Sequence, residues 1–288
     1  MAINPFLLKN KPFETFPRVG QMWPKLNQHS SLLPGLISVW PIVDKGGYRL
    51  WDEWGNHDAI FSGGSANPAW GDNAEWGPFL DFDGASDEVP IASAPHLTTW
   101  SIVIAFLRWD GDPGAGTYPH AFAKGGLFTN DSSYCVTYRP SIDRVSLRVK
   151  DGATLYSCNA TYSLETAAIH FVGTWKNGSQ KIYINGIEKG STTNAGAGSD
   201  GGHAGYFGRS TSLAGSEIRW NGPIGTTSLY NRVLDAAAVK TLYEQETRWQ
   251  LLQPQTPRFA MSVAVAGGLS IPVAMRSYRN RRLGNLAA

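Results

Sequence analysis

One hairpin signal constrains the fold of this chain more than any other feature. The segments Phe171–Trp175 and Lys181–Ile184 are strand-like, and the second runs directly into Asn185-Gly186. Asn-Gly is the preferred pair at the centre of a tight hairpin turn, because both positions require a positive φ. This region of the chain is therefore predicted to form antiparallel strands.

Further segments favour an all-β chain. Trp100–Leu107 is apolar at nearly every position, which is typical of a central strand covered on both faces. Apolar and polar residues alternate from Val145 to Lys150, the period-two pattern of a strand with one face in solvent. The apolar positions are Val145, Leu147 and Val149, and the polar ones are Ser146, Arg148 and Lys150. Gly205–Gly208 predicts a short strand within a loop-rich region.

Only one stretch predicts a helix. Asp235 can cap the free amides at the start of Ala236–Glu244, whose apolar residues Val239, Leu242 and Tyr243 share a face. The composition agrees with many short strands and tight turns, since 42% of residues are hydrophobic, only 17% are charged, and there are 32 Gly and 17 Pro. The eleven Trp predict an aromatic core.

The two ends of the chain differ from its middle. Prolines recur through residues 1–33 without a steady hydrophobic period, which predicts an extended arm, with a disordered leader as the alternative. The apolar anchors of this arm are Phe6, Leu7, Phe13, Phe16 and Trp23. The first residues lack the cationic start and apolar run of a signal peptide, so we expect synthesis in a cytoplasm.

Residues 248–288 are predicted to form a C-terminal arm that begins near Trp249. Its strand-like run places Phe259, Met261, Val263 and Val265 on one face, and such a strand needs a partner edge. The run is interrupted by Gly, Ser and Pro and is a poor membrane span. The basic residues Arg276, Arg279, Arg281 and Arg282 follow, a cluster too short to indicate nucleic acid. From Trp249 to Ala288 there are five Arg and no acid, so with a net charge of +2 the first 248 residues carry about −3.

Six motifs occur in the order typical of the LamG-like, concanavalin A-like domains of the lectin and glucanase superfamily, and over residues 36–245 the chain resembles that family. They are Leu36–Ile42, Trp51–Asn56, Leu80–Asp87, His170–Trp175 with Lys181–Gly186, Phe207–Arg209, and Ile224–Leu234. The resemblance implies an all-β, two-sheet antiparallel jelly-roll sandwich over residues 34–247, flanked by the arms 1–33 and 248–288 and closed by one short helix.

The resemblance also implies a candidate calcium site. Relatives often hold Ca²⁺ near the turn that corresponds to Trp51–Asn56, where Asp52, Asn56 and Asp58 offer oxygen ligands. The acids that relatives supply from a closing strand are replaced here by Ile224-Gly-Thr226. The alternative is that Asp52 and Asn56 bond the backbone of their own turn. No other cofactor is expected.

Catalytic patterns are missing from the sequence. Glycosidases of this superfamily use two carboxylates in a Glu-x-Asp-x-x-Glu spacing, which does not occur in the chain. The pairs Asp52-Glu53 and Asp87-Glu88 are adjacent, and neighbours on a strand point to opposite faces. No nucleophile elbow, His metal motif or phosphate loop is present. We therefore expect a protein that is not an enzyme.

Two binding functions and one degenerate enzyme remain as hypotheses. The leading one is a virion structural protein, such as a capsid decoration or cement subunit, because the sequence has apolar arms at both ends and lacks a signal peptide and catalytic carboxylate pairs. The Trp249–Arg258 junction also resembles the tails that follow LamG-like domains in bacteriophage structural proteins. This hypothesis implies location in the virion after synthesis in the host cytoplasm, a homo-oligomer such as a trimer, and a major capsid or other virion protein as partner.

The alternative is a carbohydrate-binding module of a tail fibre or adhesin that binds surface glycans. Aromatic side chains that could stack on sugar rings occur in loop-like or strand-end contexts at Trp54, Trp109, Tyr118 and Trp220. A degenerate glycoside hydrolase is the second alternative. The sequence leaves open whether Cys135 and Cys158 form a disulfide bridge.

Overall fold

The computed structural model describes residues 25–26, 30–42, 47–61, 63, 67–73, 76–95, 97–111, 118–125, 134–151, 154–165, 167–193, 203–209, 219–244 and 252–253. All of them belong to a compact unit from Met1 to Gln255, and Thr256–Ala288 form a second unit. The strand-like run and the basic cluster of the predicted C-terminal arm lie outside the described residues, as do the apolar anchors of the N-terminal arm.

The regular secondary structure of the described residues is almost entirely β. Its strands are β1 Lys25–Leu26, β2 Leu36–Trp40, β3 Arg49–Leu50, β4 Ala59–Ile60, β5 Ala69–Asn73, β6 Gly77–Asp83, β7 Val89–Ile91, β8 Trp100–Leu107, β9 His120–Lys124, β10 Tyr134–Arg139, β11 Arg144–Asp151, β12 Thr154–Thr161, β13 Ile169–Lys176, β14 Ser179–Ile184, β15 Ile187–Thr192, β16 Gly205–Phe207, β17 Asn221–Gly225, β18 Thr227–Tyr230 and β19 Leu252–Gln253. A 3-10 turn spans Pro140–Ile142, and the helix α1 spans Ala236–Tyr243.

Two antiparallel sheets form a sandwich, as the sequence predicts. The eight-stranded sheet has the order β12-β11-β10-β9-β16-β7-β4-β3. The nine-stranded sheet has the order β15-β14-β13-β8-β17-β6-β5, with β18 paired to β8 and β2 paired to β18. Separately, β1 and β19 pair with each other as a two-stranded ribbon, in the register Lys25 to Gln253 and Leu26 to Leu252.

The predicted hairpin and central strand are confirmed. β14 and β15 are joined by Asn185 and Gly186, with φ of 51° and 78°, the positive values that this tight turn requires. β8 covers Trp100–Leu107, as predicted, and is buried on both faces. It sits in the middle of the nine-stranded sheet.

The space between the sheets is filled by aromatic and aliphatic side chains. Five Trp are at most 1% exposed, which confirms the predicted aromatic core; they are Trp40, Trp100, Trp109, Trp175 and Trp220. Trp100 packs on Tyr134 across the sandwich, with ring centroids 4.6 Å apart. Close packing of such large rings makes this cluster the main source of hydrophobic stabilisation.

The single described helix covers the outer face of the nine-stranded sheet. Asp235 caps α1 by accepting a hydrogen bond from the Ala238 amide at 2.8 Å, as predicted. Val239 and Leu242 are buried against a second apolar cluster that includes Val103 and Val172 of the sheet. No helix in the described part of the chain is long and apolar enough to cross a membrane.

One prediction about β11 is wrong. The strand alternates as expected, with Val145, Leu147 and Val149 in the core. Its other face was predicted to lie in solvent, yet Ser146, Arg148 and Lys150 are buried as well. The period-two pattern identifies polar side chains on one face but cannot show whether other parts of the chain cover them.

The two cysteines are free. Cys135 lies opposite Arg148 across β10 and β11, whereas Cys158 lies opposite Leu147 and packs in the core. The two side chains therefore occupy opposite faces of the same sheet, which prevents a disulfide bridge.

Candidate functional site

Asp52 organises the turn in which calcium was predicted. Its carboxylate Oδ1 accepts hydrogen bonds from the amides of Val39, Trp54 and Gly55 at 2.9, 3.1 and 3.0 Å. Its Oδ2 accepts from the His57 amide at 3.2 Å. Burial acts to raise the pKa of Asp52, but these hydrogen bonds and that to the His57 side chain outweigh it and lower the pKa. Asp52 thus bonds the backbone of its own turn, as the alternative prediction held.

The other two calcium candidates do not converge on Asp52. Asp58 Oδ1 accepts a hydrogen bond from the Asp52 amide at 2.7 Å, and its Oδ2 lies 3.7 Å from Arg49. Asn56 is exposed. Among the described residues, no group of three or more His, Cys, Asp or Glu side chains is arranged to hold a metal ion.

Ser38, His57 and Asp52 lie together without forming a proton relay. The Ser38 hydroxyl is 2.9 Å from His57 Nδ1, and Asp52 Oδ2 is 3.3 Å from the same nitrogen. A catalytic triad needs the acid and the nucleophile on different ring nitrogens, so that the ring can pass a proton between them. The Ser38 side chain is also fully buried. This cluster stabilises the turn.

Asp83 and Asp87 have pKa values shifted in opposite directions, a pattern that can mark acid and base catalysts. Asp83 Oδ1 accepts from the amides of Ala85, Ser86 and Asp87, and although burial opposes them, these bonds lower the pKa of Asp83 to about 2. Burial raises the pKa of Asp87 to about 6, and its Oδ2 accepts from the Asp83 amide. Asp87 is buried, and both carboxylate oxygens of the exposed Asp83 accept hydrogen bonds within the turn, so the pair stabilises this turn.

Two of the four aromatic residues that were predicted to stack on sugars are buried. Trp109 and Trp220 lie in the core, where their rings make an edge-to-face contact with centroids 5.2 Å apart. The Trp220 indole donates a hydrogen bond to the Arg108 carbonyl at 3.1 Å. Both rings pack in the hydrophobic core between the two sheets, which leaves neither a face for a ligand. Trp54 is half-buried and packs against the apolar cluster that contains α1.

Tyr118 is the remaining candidate for stacking on a sugar, and it borders a polar face of the eight-stranded sheet. It is half-buried and directly precedes β9. The guanidinium carbon Cζ of Arg148 lies 4.1 Å from the centre of the Tyr118 ring, and that of Arg139 lies 5.3 Å from it. Tyr118 thus lies beside β10 and β11 at the outer face of the eight-stranded sheet.

Polar side chains line this outer face in cross-strand register. His120, Thr137, Ser146 and Asn159 occupy neighbouring positions on β9, β10, β11 and β12. The Ser146 hydroxyl donates to the Asn159 amide oxygen at 2.7 Å. We call Tyr118, His120, Thr137, Arg139, Arg144, Ser146, Arg148 and Asn159 the outer-face cluster.

Several members of the outer-face cluster lack partners. Both ring nitrogens of His120 and the Thr137 hydroxyl are buried without a hydrogen bond to the part of the chain that the structure describes. A buried polar group without a partner destabilises the fold, so such groups are usually retained where a ligand or water can satisfy them. Burial lowers the pKa of His120 to about 3, helped by the charge of Arg148, so the ring is neutral at physiological pH and offers one donor and one acceptor.

The electrostatic potential at the cluster is positive. Burial acts to raise the pKa of Tyr118, but the hydrogen bond from Arg148 and the charges of Arg148, Arg139 and Arg144 lower it overall. These three arginines were not among the site residues predicted from the sequence. The alternation along β11 gave the available signal, since it placed Arg144 and Arg148 on one face with Ser146.

Comparisons with known proteins agree with this architecture. The model of the concanavalin A-like lectin/glucanases superfamily matches residues 83–240, more than half of the chain. No curated protein sequence matches the chain closely enough to indicate a relative.

Three solved structures share the fold. Domain 4 of AbnA, an extracellular GH43 arabinanase from Geobacillus stearothermophilus solved with arabinotriose, is 18% identical, with a TM-score of 0.56 over 73% of this chain and 98% of that one. The binding domain of Paraclostridial Mosquitocidal Protein 1 is 12% identical, with a TM-score of 0.56 over 74% of this chain and 52% of that one. Trypanosoma rangeli sialidase is 16% identical, with a TM-score of 0.51 over 74% of this chain and 33% of that one.

At these identities the structural neighbours establish the fold alone, and the chain spans only a third of the sialidase. The family match, the two antiparallel sheets and the short helix after the last sandwich strand point to the same group of proteins. The chain belongs to the concanavalin A-like lectin/glucanases superfamily.

Proposed function

We propose that this protein is a non-catalytic carbohydrate-binding domain whose ligand occupies the outer face of the eight-stranded sheet. The observation that carries this proposal is the half-buried Tyr118 ring beside buried, unpartnered polar groups of His120 and Thr137 in the described structure. Sugar sites combine an aromatic surface for the apolar side of a pyranose with fixed polar groups for its hydroxyls. Both elements meet at this face.

The polar groups suit hydroxyl ligands. A neutral His120 ring can donate to one sugar oxygen and accept from another, and the Thr137 hydroxyl can do either. These side chains project from paired strands, so their spacing is fixed before a ligand arrives. Pre-organisation of this kind lowers the entropic cost of binding.

Absence of catalysis is part of the proposal. Hydrolysis of a glycosidic bond uses two carboxylates that flank the bond. Among the described acids, Asp52 and Asp83 accept several backbone hydrogen bonds each, and Asp87 is buried in the same turn as Asp83. Glu88 is engaged by Arg219 at 3.2 Å and by Arg209. None of these acids belongs to the outer-face cluster.

The structural neighbours support the ligand class. The arabinanase domain was solved with arabinotriose, other matching structures are sialidases, one of them with sialic acid, and the mosquitocidal protein contributes a binding domain. A domain of this fold that recognises a saccharide without cleaving it is consistent with these neighbours.

A glycan array followed by calorimetry tests the proposal. The full chain is expected to bind at least one saccharide class, and Tyr118→Ala is expected to weaken that binding about fivefold, since aromatic stacking contributes on the order of 1 kcal/mol. Tyr48→Ala is the matched control, because Tyr48 is 72% exposed beside the edge strand β3. Binding should persist in chelator. No saccharide binding, or equal losses in both variants, would contradict the proposal.

A second candidate function is assembly into a virion, as a capsid decoration or cement subunit. The pairing of β1 with β19 favours it, because segments from the two predicted arms form a ribbon outside both sheets of the sandwich. We propose that this ribbon directs the arms toward a neighbouring subunit. Truncation after residue 248 should then change the oligomeric state measured by light scattering and abolish binding to capsids, and unchanged values for both would reject this role.

A further inference from the structure

Three arginines of the outer-face cluster lie on the same face of two neighbouring strands. Arg139 ends β10, Arg144 begins β11, and these two residues are direct cross-strand partners. Arg148 lies four residues beyond Arg144 on the same face of β11, and the guanidinium groups of Arg148 and Arg139 lie over the Tyr118 ring. Cross-strand like charges repel each other, so the arrangement is unfavourable without a compensating negative charge.

No carboxylate of the described residues provides that charge. The ion pairs of the described structure involve other arginines, such as Arg108 with Asp110, and none includes Arg139, Arg144 or Arg148. The nearest acid in sequence, Asp143, accepts a hydrogen bond from the Tyr138 hydroxyl at 2.9 Å. The whole chain has a net charge of +2, and its first 248 residues carry about −3. The cluster is therefore a local positive charge in a mildly acidic part of the chain.

Burial gives an independent indication of a ligand. The Nε atoms of Arg139, Arg144 and Arg148 are buried without a hydrogen-bond partner in the described structure. Arg148 is only 6% exposed, and His120 is 1% exposed. Arg139, Arg144 and Tyr118 are half-buried and form the more accessible part of the cluster. A fully solvated basic surface would not bury its guanidinium groups in this way.

We propose that the outer-face cluster recognises the oxyanion of an acidic saccharide, either a carboxylate or a sulfate group, through Arg139, Arg144 and Arg148. The proposal rests on the proposed carbohydrate-binding function and names its ligand class. A planar guanidinium presents parallel N–H donors that match the two oxygens of a carboxylate or the face of a sulfate. Tyr118 would contact the ring of the same sugar, and His120 and Thr137 would bind its hydroxyls.

The extended polyanion of a nucleic acid is the less suitable ligand. Such ligands bind to solvated Lys and Arg distributed along a surface and make many phosphate contacts. Here the charges are few and partly buried, and two of them lie over a single ring. Nucleic acid binding is therefore an outcome that would count against the inference.

Binding of defined oligosaccharides distinguishes the possibilities. The probes are a neutral oligosaccharide, its uronate-containing counterpart and its sulfated counterpart, each titrated against the full chain by calorimetry at 50 and 300 mM salt. We expect the acidic probes to bind at least tenfold more tightly than the neutral one, and the difference to shrink at high salt. Preference for one acidic probe over the other identifies the oxyanion.

Substitutions locate the binding. Arg139→Gln and Arg144→Gln change half-buried residues and should each weaken acidic-probe binding about tenfold or more, with little change for the neutral probe. Arg148→Lys keeps the positive charge of the buried residue but removes the paired N–H donors of the guanidinium. This variant should also bind the acidic probes more weakly. Lys189→Gln removes one charge from exposed β15 of the other sheet and should have no effect. Thermal unfolding checks that each variant is folded.

The outcomes separate the two proposals. Equal affinity for neutral and acidic probes, or acidic-probe binding that all three arginine variants retain, overturns the inference but leaves carbohydrate binding in place. Loss of binding for every saccharide rejects both. Tight, sequence-independent binding of single-stranded DNA that the same variants abolish would assign the arginines to nucleic acid and overturn the inference.

Discussion

The guanidinium of Arg148 lies over the ring of Tyr118, with its Cζ 4.1 Å from the ring centre. This contact joins a strand of the eight-stranded sheet to the segment that enters β9. It combines a cation–π interaction with a positive potential at the phenol oxygen. Several measurable properties follow from it and from the turns around Asp52 and Asp87.

Tyr118 should ionise at a lower pH than the buried tyrosines. Burial opposes the shift, but Arg148, Arg139 and Arg144 lower the pKa of Tyr118, while burial raises that of Tyr138 to about 12. Ultraviolet titration should therefore show an early phenolate step that Tyr118→Phe removes and Arg148→Gln moves to higher pH. An early step that persists in Tyr118→Phe would contradict the contact.

Asp52→Ala should destabilise the fold by about 3 kcal/mol or more, because several partly or fully buried amides lose their acceptor. Asn56→Ala, in the same turn but exposed, should change stability by less than ~0.5 kcal/mol. Urea unfolding measures both. Equal midpoints for the two variants would show that Asp52 does not hold the turn.

The same carboxylate predicts a pH dependence. The pKa of Asp52 is lower in the folded state than its ordinary value of 3.8, so the ionised form is favoured by folding. Its stabilisation is complete above the unfolded pKa and is lost as the pH falls through the folded pKa. The free energy of unfolding of Asp52→Asn should therefore depend less on pH below 4 than that of the natural protein, and identical acid profiles would contradict this.

Ionisation of Asp87 should destabilise the fold, in contrast to that of Asp52. Its folded pKa is raised to about 6, so ionisation between pH 4 and pH 7 costs folding free energy. Asp87→Asn retains an oxygen acceptor for the Asp83 amide and removes the charge. Relative to the natural protein, this variant should gain stability as the pH rises from 4 to 7. A constant difference across that range would show that Asp87 is not protonated in the folded state.

Trp220→Ala should affect stability and leave ligand specificity unchanged. Truncation of this fully buried ring leaves a cavity beside Trp109 and should cost about 3–5 kcal/mol in urea unfolding. In conditions where the variant is folded, its order of preference among saccharides should match that of the natural protein. A reversed preference with unchanged stability would place Trp220 in the binding site.

The sequence predicted the sandwich well because its signals are local. The Asn185-Gly186 turn, the apolar run of β8 and the Asp235 cap each depend on residues close in the chain. The order of the six motifs along the chain also identified the family. These features determine the strands and the turns between them, from which the two sheets follow.

The candidate site was predicted less well because it depends on distant segments. Trp109 and Trp220 occur at a strand end and in a loop-like context, yet tertiary packing brings their rings together in the core. Arg148 looked like a solvent-facing residue in an alternating strand, yet it is buried and contacts Tyr118, which precedes a different strand of the sheet. Alternation assigns residues to a face, but it contains no information on what covers that face.

Mapping of a bound saccharide by NMR tests the central claim most directly. In a titration of the isotopically labelled full chain with the tightest-binding oligosaccharide, the largest chemical-shift changes should fall on Tyr118, His120, Thr137, Ser146 and Arg148. These residues share the outer face of the eight-stranded sheet. Changes confined to the turn at Trp54 or to the edge strand β15, with none on β10 and β11, would contradict the account.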